Sequence, residues 1–137
     1  MRTCAYNVAM SKPRVIITET LDDIPAGWLD EHADVVWCAH DHPDLKKQLA
    51  VAEGLVVRTY TQVNEALLKA APKLRVVGRA GVGLDNIDVK ACRARGVEVV
   101  YTPDANTQAV VEYIFALILD AVRPRVSLTE PIDDAAF

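Results

Sequence analysis

The sequence has little cysteine and no Cys-x-x-Cys pair. Its three cysteines, Cys4, Cys38 and Cys92, are odd in number and lie far apart among 137 residues. This pattern argues against a disulfide framework and is typical of proteins that stay in a reducing compartment. We therefore expect a cytoplasmic protein.

Basic clusters and long apolar runs are also missing. Lys and Arg number 15 against 19 Asp and Glu, and no run of them forms a stripe, which disfavours nucleic acid and anionic membranes as partners. The longest apolar run lies between Glu112 and Asp120 and has seven residues, too few to cross a bilayer. With 51% hydrophobic and 25% charged residues, the chain can form a packed core.

The beginning of the chain has no apolar segment long enough for a signal peptide. A strand pattern starts soon after Met10. We interpret residues 1–10 as an unstructured extension and Met10 as a candidate natural start.

Short β-rich runs alternate with helical stretches from Arg14 onward. Their Val and Ile residues do not alternate with polar ones, as expected for strands covered on both faces. The pattern predicts an α/β fold of flavodoxin-like type: a parallel five-stranded sheet of order 2-1-3-4-5 with helices on both faces. The predicted strands are 15–18, 34–38, 54–58, 74–78 and 97–101.

Helices are predicted at 43–50, 64–71, 88–95 and 107–122. Asp88 is placed to cap the third of these, and Gly96 follows its end. The long C-terminal helix is apolar almost all round, so it should be buried on all sides. One of its faces then needs a partner that this chain does not contain.

Three motifs lie at predicted strand ends. They are Val57-Arg58-Thr59, the segment VGRAGVGLDNID at 77–88, and the segment TPDANT at 102–107, which runs into Val110-Val111-Glu112. In this order and spacing, residues 54–121 resemble the D-isomer-specific 2-hydroxyacid dehydrogenases, and among them the phosphoglycerate dehydrogenases.

The resemblance implies an NAD-dependent oxidoreductase that acts on a small 2-hydroxy or 2-oxo acid, homodimeric in its full-length form. It implies a substrate loop at 81–83 and a hinge beside the cofactor cleft at Asn106. The implied substrate-binding residues are Arg58, Thr59, Arg79, Gly81, Val82 and Gly83, and the implied cofactor-binding residues are Val82, Asn106 and Val110.

Simpler explanations exist for each of these residues taken alone. Gly81 and Gly83 could form an ordinary tight turn, and Arg58 and Arg79 could be surface charges. Asn106 could serve as a helix N-cap. The combination of the motifs favours the functional interpretation.

The catalytic groups of the family are not found in this chain. Gly81-Val82-Gly83 begins like a GxGxxG dinucleotide fingerprint, but Asn86 stands at the third glycine position. By resemblance, the acid/base His, its orienting Glu and the carboxyl-binding Arg come from the dinucleotide-binding domain or just after it. We thus expect a substrate-binding domain at 11–105, an interdomain helix at 106–122, a truncated linker at 123–137, and no catalysis by this chain alone.

The sequence also bears on other possible functions. A stand-alone metabolite- or protein-binding module remains open, since relatives of the family include transcriptional co-repressors. A phosphoreceiver domain is rejected, because the third strand ends in Arg58 where that class needs an acceptor Asp. His40 and His42 lack a distant third ligand, so no metal site is predicted.

Overall fold

A five-stranded parallel sheet is the main element of the computed structural model, which describes residues 12–123. Its strand order is β2-β1-β3-β4-β5, which confirms the predicted α/β topology. The described residues fall into two compact units, divided after Pro103. The strands are β1 (Arg14–Ile17), β2 (Asp34–Trp37), β3 (Gly54–Val57), β4 (Val76–Arg79) and β5 (Glu98–Tyr101).

One face of the sheet carries the main core. Ile16 pairs in register with Leu55, and Leu55 with Val77, so their side chains lie in one row. All three are at most 1% exposed. Leu68 and Cys92, from two of the helices, complete this cluster. Burying such side chains stabilises the fold by about 1.5–3 kcal/mol for each large one.

Four helices connect the strands, and side-chain caps begin three of them. Asp22 accepts a hydrogen bond from the Ile24 N–H, Asn64 from two N–H groups, and Asp88 from one, as predicted for Asp88. The helices are α1 (Asp23–His32), α2 (Leu45–Leu49), α3 (Glu65–Ala70) and α4 (Val89–Ala94).

The second face of the sheet is covered by different residues. Val15 and Ile17 alternate with Ile16 along β1, so they point away from the main cluster. Both are buried, as is Ala26 of α1, and none of the three belongs to that cluster. Right-handed crossovers explain this arrangement, because the chain reverses direction across the sheet after β2.

The second unit contains helix α5 (Thr107–Val122). Asn106 occupies its N-cap position but makes no side-chain capping hydrogen bond there. Within residues 12–123 no helix is both long and apolar enough to cross a membrane. The predicted extension at 1–10 and nearly all of the predicted linker at 123–137 lie outside the described residues.

Candidate functional site

The predicted substrate-binding residues of the first unit lie at the carboxyl ends of β3 and β4. Val57 pairs in register with Arg79, and the Ala80 N–H donates to the Val57 carbonyl at 2.9 Å. Arg58 and Arg79 therefore leave neighbouring strands at the same edge of the sheet. This edge is where open parallel sheets bind ligands.

Glu19, two residues after β1, holds the segment that follows β3. Its carboxylate accepts hydrogen bonds from four successive backbone N–H groups, those of Arg58, Thr59, Tyr60 and Thr61, at 2.8–3.1 Å. The Thr61 hydroxyl donates a fifth, at 2.9 Å. We call residues 58–61 the anchored segment.

These contacts determine the charge state of Glu19. Partial burial alone would raise its pKa, but the hydrogen bonds from the four N–H groups outweigh it and lower the pKa from 4.5 to about 2. The carboxylate is therefore ionised at neutral pH, and its charge is balanced by backbone dipoles.

Asn86 binds the anchored segment from the other side. Its Nδ2 donates to the carbonyl of Thr61 at 2.8 Å and to that of Arg58 at 3.2 Å. Asn86 is 9% exposed and belongs to the 77–88 motif, just before α4. The N–H groups of the segment thus point to β1, and two of its carbonyls point to the β4 side.

The Arg58 side chain extends back toward β1. Its Nη1 donates to the carbonyl and the hydroxyl oxygen of Thr20, at 3.0 Å each. It borders a cavity of about 590 Å³ at the carboxyl ends of β1, β2 and β3. Aromatic side chains form part of the wall: Trp37, and His40 stacked on Tyr60 with ring centroids 5.7 Å apart.

The Arg79 side chain takes a different position. Its Nη1 donates to the Ala80 carbonyl at 2.8 Å, while its buried Nε has no hydrogen-bond partner in the part of the chain that the structure describes. Gly81 makes room for this side chain, because a Cβ there would collide with the guanidinium. Gly81 also has φ +155°, a conformation that other residues rarely adopt.

The two arginines line separate cavities that share one residue. Arg79 borders a cavity of about 210 Å³ together with Thr59, Asp85 and Asn86. Thr59 borders the Arg58 cavity as well. The structure therefore brings Arg58, Thr59 and Arg79 to one edge of the sheet, and Thr59 borders both cavities.

The loop 81–83 presents unused N–H groups. The Gly81 N–H donates to the Arg79 carbonyl at 2.9 Å, so it is occupied. Within residues 12–123, the N–H groups of Val82 and Gly83 make no hydrogen bond. The Val82 side chain is 39% exposed. A loop of this kind can accept an anion from its backbone side.

Asn106 and Val110, the remaining predicted cofactor contacts, belong to the second unit. They lie one turn apart at the start of α5, where the Val110 N–H donates to the Asn106 carbonyl at 2.9 Å.

Other polar side chains have structural partners. His42 Nδ1 accepts from the Asp44 N–H at 3.1 Å. No group of three metal-ligating side chains occurs in residues 12–123. Cys92 is fully buried in α4 and packs in the main core.

Sequence reasoning missed Glu19, Thr61 and the role of Asn86. The available signal was weak: a polar Thr18-Glu19-Thr20 segment directly after an apolar strand. Such a segment is usually solvated, so nothing local distinguishes it.

An open parallel α/β sheet with polar and cationic side chains at the carboxyl ends of its strands defines the class of α/β domains whose ligands gather at that edge. The particular family follows from comparison with known proteins. Residues 15–130 match the D-isomer specific 2-hydroxyacid dehydrogenase family, catalytic domain. The chain belongs to that family.

Individual relatives agree with this assignment. The chain is 42% identical over 121 residues to D-3-phosphoglycerate dehydrogenase 2, chloroplastic, of Arabidopsis thaliana, covering 86% of this chain and 19% of that protein. It is 45% identical over 117 residues to D-3-phosphoglycerate dehydrogenase of Mycobacterium bovis, covering 83% and 22%. This chain therefore spans about a fifth of the length of these curated relatives.

A solved structure is similar as well. The D-lactate dehydrogenase of Aquifex aeolicus, crystallised with NAD and lactic acid, matches with a TM-score of 0.67 and 25% identity. The match covers 80% of this chain and 34% of that one. The match therefore spans about a third of that chain.

Proposed function

We propose that this chain is the substrate-binding part of an NAD-dependent D-2-hydroxyacid dehydrogenase that acts on a phosphoglycerate-like acid. The observation that carries the proposal is the placement of Arg58, Thr59 and Arg79 at one sheet edge, beside a loop with two unused N–H groups. The family and the phosphoglycerate dehydrogenases among its relatives support the reaction class.

The arrangement suits an acid with two anionic groups. The N–H groups of Val82 and Gly83 can bind a carboxylate without a counter-charge, as backbone nests do. The guanidinium groups of Arg58 and Arg79 line separate cavities, so each can contact a different anionic group of the acid. Arginine favours the planar, bidentate geometry of carboxylate and phosphate. Thr59, which borders both cavities, can donate a hydrogen bond to a hydroxyl of the substrate or accept one from it.

NAD would supply the hydride acceptor, and this chain would meet only part of it. The exposed apolar side chain of Val82 fits contact with the flat nicotinamide ring. By resemblance, Asn106 and Val110 would border the cofactor. We also propose that the full-length protein is a cytoplasmic homodimer, as the family resemblance implies.

Catalysis is proposed for a longer protein or an assembly, and the 137-residue chain is proposed to be inactive by itself. The acid/base His, the orienting Glu and the fingerprint for NAD would have to come from elsewhere. Formation of NADH by the pure chain with D-3-phosphoglycerate, above a boiled control, would show that this part of the proposal is wrong.

Binding tests the substrate assignment directly. The chain is titrated with D-3-phosphoglycerate, D-glycerate and D-lactate while ¹H–¹⁵N NMR spectra are recorded. We expect D-3-phosphoglycerate to bind most tightly and to shift the amides of Val82 and Gly83. Arg58→Gln and Arg79→Gln should each weaken its binding roughly tenfold or more, since each removes a charged hydrogen-bonding partner.

Arg75→Gln is the matched control for these variants. Arg75 precedes β4, at the opposite end from Arg79, and its only ion pair is with Glu53 at 3.9 Å among the described residues. This variant should bind D-3-phosphoglycerate as the unmodified chain does. Equal weakening by all three substitutions would point to a general effect of net charge and would contradict the proposed site.

A further inference from the structure

We propose that Glu19 is a positioning residue of the substrate site: its carboxylate shapes the anchored segment so that Arg58 and Thr59 face the ligand. This inference rests on the proposed function, since it concerns the same site. Nothing in the sequence motifs or the resemblance assigns a role to Glu19.

The first argument is the geometry of the backbone. Four successive N–H groups converge on one carboxylate, so four peptide planes are fixed by one side chain. Asn86 restrains the same segment from the opposite side through two carbonyls. A loop held on both sides has few alternative conformations, and preorganised binding groups lose little entropy when a ligand binds.

The second argument is the position of the Arg58 side chain. Thr20, adjacent to Glu19, accepts two hydrogen bonds from Arg58 Nη1. The end of β1 therefore holds both the backbone and the head group of Arg58. The Nε and Nη2 atoms have no hydrogen-bond partner in residues 12–123 and can donate to a ligand.

The third argument concerns charge. Glu19 binds the backbone of Arg58, yet the two side chains form no ion pair in the described part of the chain. The N–H dipoles balance the carboxylate instead, as backbone N–H groups do in anion-binding nests. The positive charge of Arg58 thus stays available for an anionic ligand, although a carboxylate lies next to its backbone.

The test compares Glu19→Gln and Glu19→Asp with the unmodified 137-residue chain. Gln keeps the size but turns one oxygen into a donor that faces other donors, and Asp keeps the charge but is one methylene shorter. D-3-phosphoglycerate is the probe for binding. Amide chemical shifts and hydrogen exchange of residues 58–61 report the shape of the segment without any ligand.

We expect Glu19→Gln to weaken binding roughly tenfold and to speed amide exchange of residues 58–61 by a similar factor, from the loss of charge-assisted hydrogen bonds. Glu19→Asp should recover part of both effects. Asp34→Asn is the control: it removes the ion pair with Arg14 at 2.6 Å, far from the site. It should leave binding and the segment's exchange unchanged.

Several outcomes would overturn the inference. One is a folded Glu19→Gln chain whose residues 58–61 keep their shifts and slow exchange. Another is equal loss of binding in Glu19→Gln and Asp34→Asn, which would reduce the effect to general stability. If Glu19→Gln does not fold, Glu19→Asp decides by the same readouts. If the unmodified chain binds no acid, the proposed function fails, while the exchange data still show whether Glu19 shapes the segment.

Discussion

The side-chain oxygens of Thr18 and Thr61 lie 2.6 Å apart, although 43 residues separate them in the sequence. The Thr61 hydroxyl also donates to Glu19 at 2.9 Å, which leaves its oxygen to accept from Thr18. The Thr18 hydroxyl hydrogen is shared between Thr61 and the Val56 carbonyl, which lies at 3.2 Å. Both threonines are buried, at 3% and 2% exposure. This relay ties the end of β1 to the anchored segment, and neighbouring hydrogen bonds in such a chain strengthen one another.

Removing the Thr61 hydroxyl, in the middle of this chain of hydrogen bonds, should lower the free energy of unfolding more than removing the Thr18 hydroxyl at its end. Thr61→Val deprives both Thr18 and Glu19 of a partner and should lower the free energy of unfolding by about 1–3 kcal/mol. Thr18→Val should cost about 0.5–1.5 kcal/mol, since Thr61 keeps its bond to Glu19. Urea unfolding measures both, and the double variant should lose less than the sum. A larger loss in Thr18→Val would contradict this relay.

Glu19 should make the protein sensitive to acid. Its pKa is lowered in the folded chain from 4.5 to about 2, so its contribution to stability is complete above pH 4.5 and is lost as the pH falls toward 2. The unfolding free energies of the unmodified chain and of Glu19→Gln should therefore converge across this range. A difference in unfolding free energy that stays constant down to pH 2 would show that the charge of Glu19 does not stabilise the folded chain.

Three glycine substitutions separate backbone strain from steric contact. Gly81→Ala would introduce both backbone strain and a steric clash, because φ is +155° and a Cβ would collide with Arg79. Gly96→Ala would introduce only backbone strain, because φ is +70° and no atom lies within 4 Å of the new Cβ. Gly83→Ala would introduce only a close contact, between the new Cβ and the Asp85 carboxylate at 2.9 Å. We expect the free energy of unfolding to fall by about 1–3 kcal/mol in Gly81→Ala, by less in Gly96→Ala and by least in Gly83→Ala. Thermal unfolding gives the order, and a reversed order refutes the explanation.

The buried thiols should react slowly in the folded chain. Burial raises the pKa of Cys38 and of Cys92, and the nearby carboxylates of Asp44 and Asp88 raise it further. Fewer thiolates form, and Cys92 is fully buried. In a Cys4→Ser background, iodoacetamide should modify Cys92 more slowly than Cys38, and both far more slowly than in urea. Modification of Cys92 at its unfolded rate in native buffer would refute this.

Much of the fold could be predicted because it depends on local interactions and on a small number of allowed topologies. The Asp88 cap depends on residues within one helical turn, and the position of Gly96 on a single backbone conformation. Strand order follows from right-handed crossovers, which leave few topologies. The ends of the strands were predicted less accurately, since the strand predicted from Leu74 begins at Val76.

The motifs also predicted which side chains gather at the sheet edge, but not which cavity each of them lines. Arg58 and Arg79 leave adjacent strands as expected, yet they line separate cavities. The direction of each guanidinium depends on the acceptor it finds: Thr20 for Arg58 and Ala80 for Arg79. A long, flexible side chain has no local preference that would reveal this choice.

The sequence by itself determined the class of fold, the Asp88 helix cap and the residues that gather at the carboxyl ends of β3 and β4, because these depend on periodicity, on short-range hydrogen bonds and on contiguous motifs. Only the tertiary structure decided what holds that edge in shape. The side chains of Glu19 and Asn86 reach the same segment across 42 and 25 residues of sequence, and apart from the Thr61 hydroxyl their partners there are backbone groups. Every residue except proline offers the same backbone N–H and carbonyl, so no pattern of side chains can indicate in advance which of them will meet.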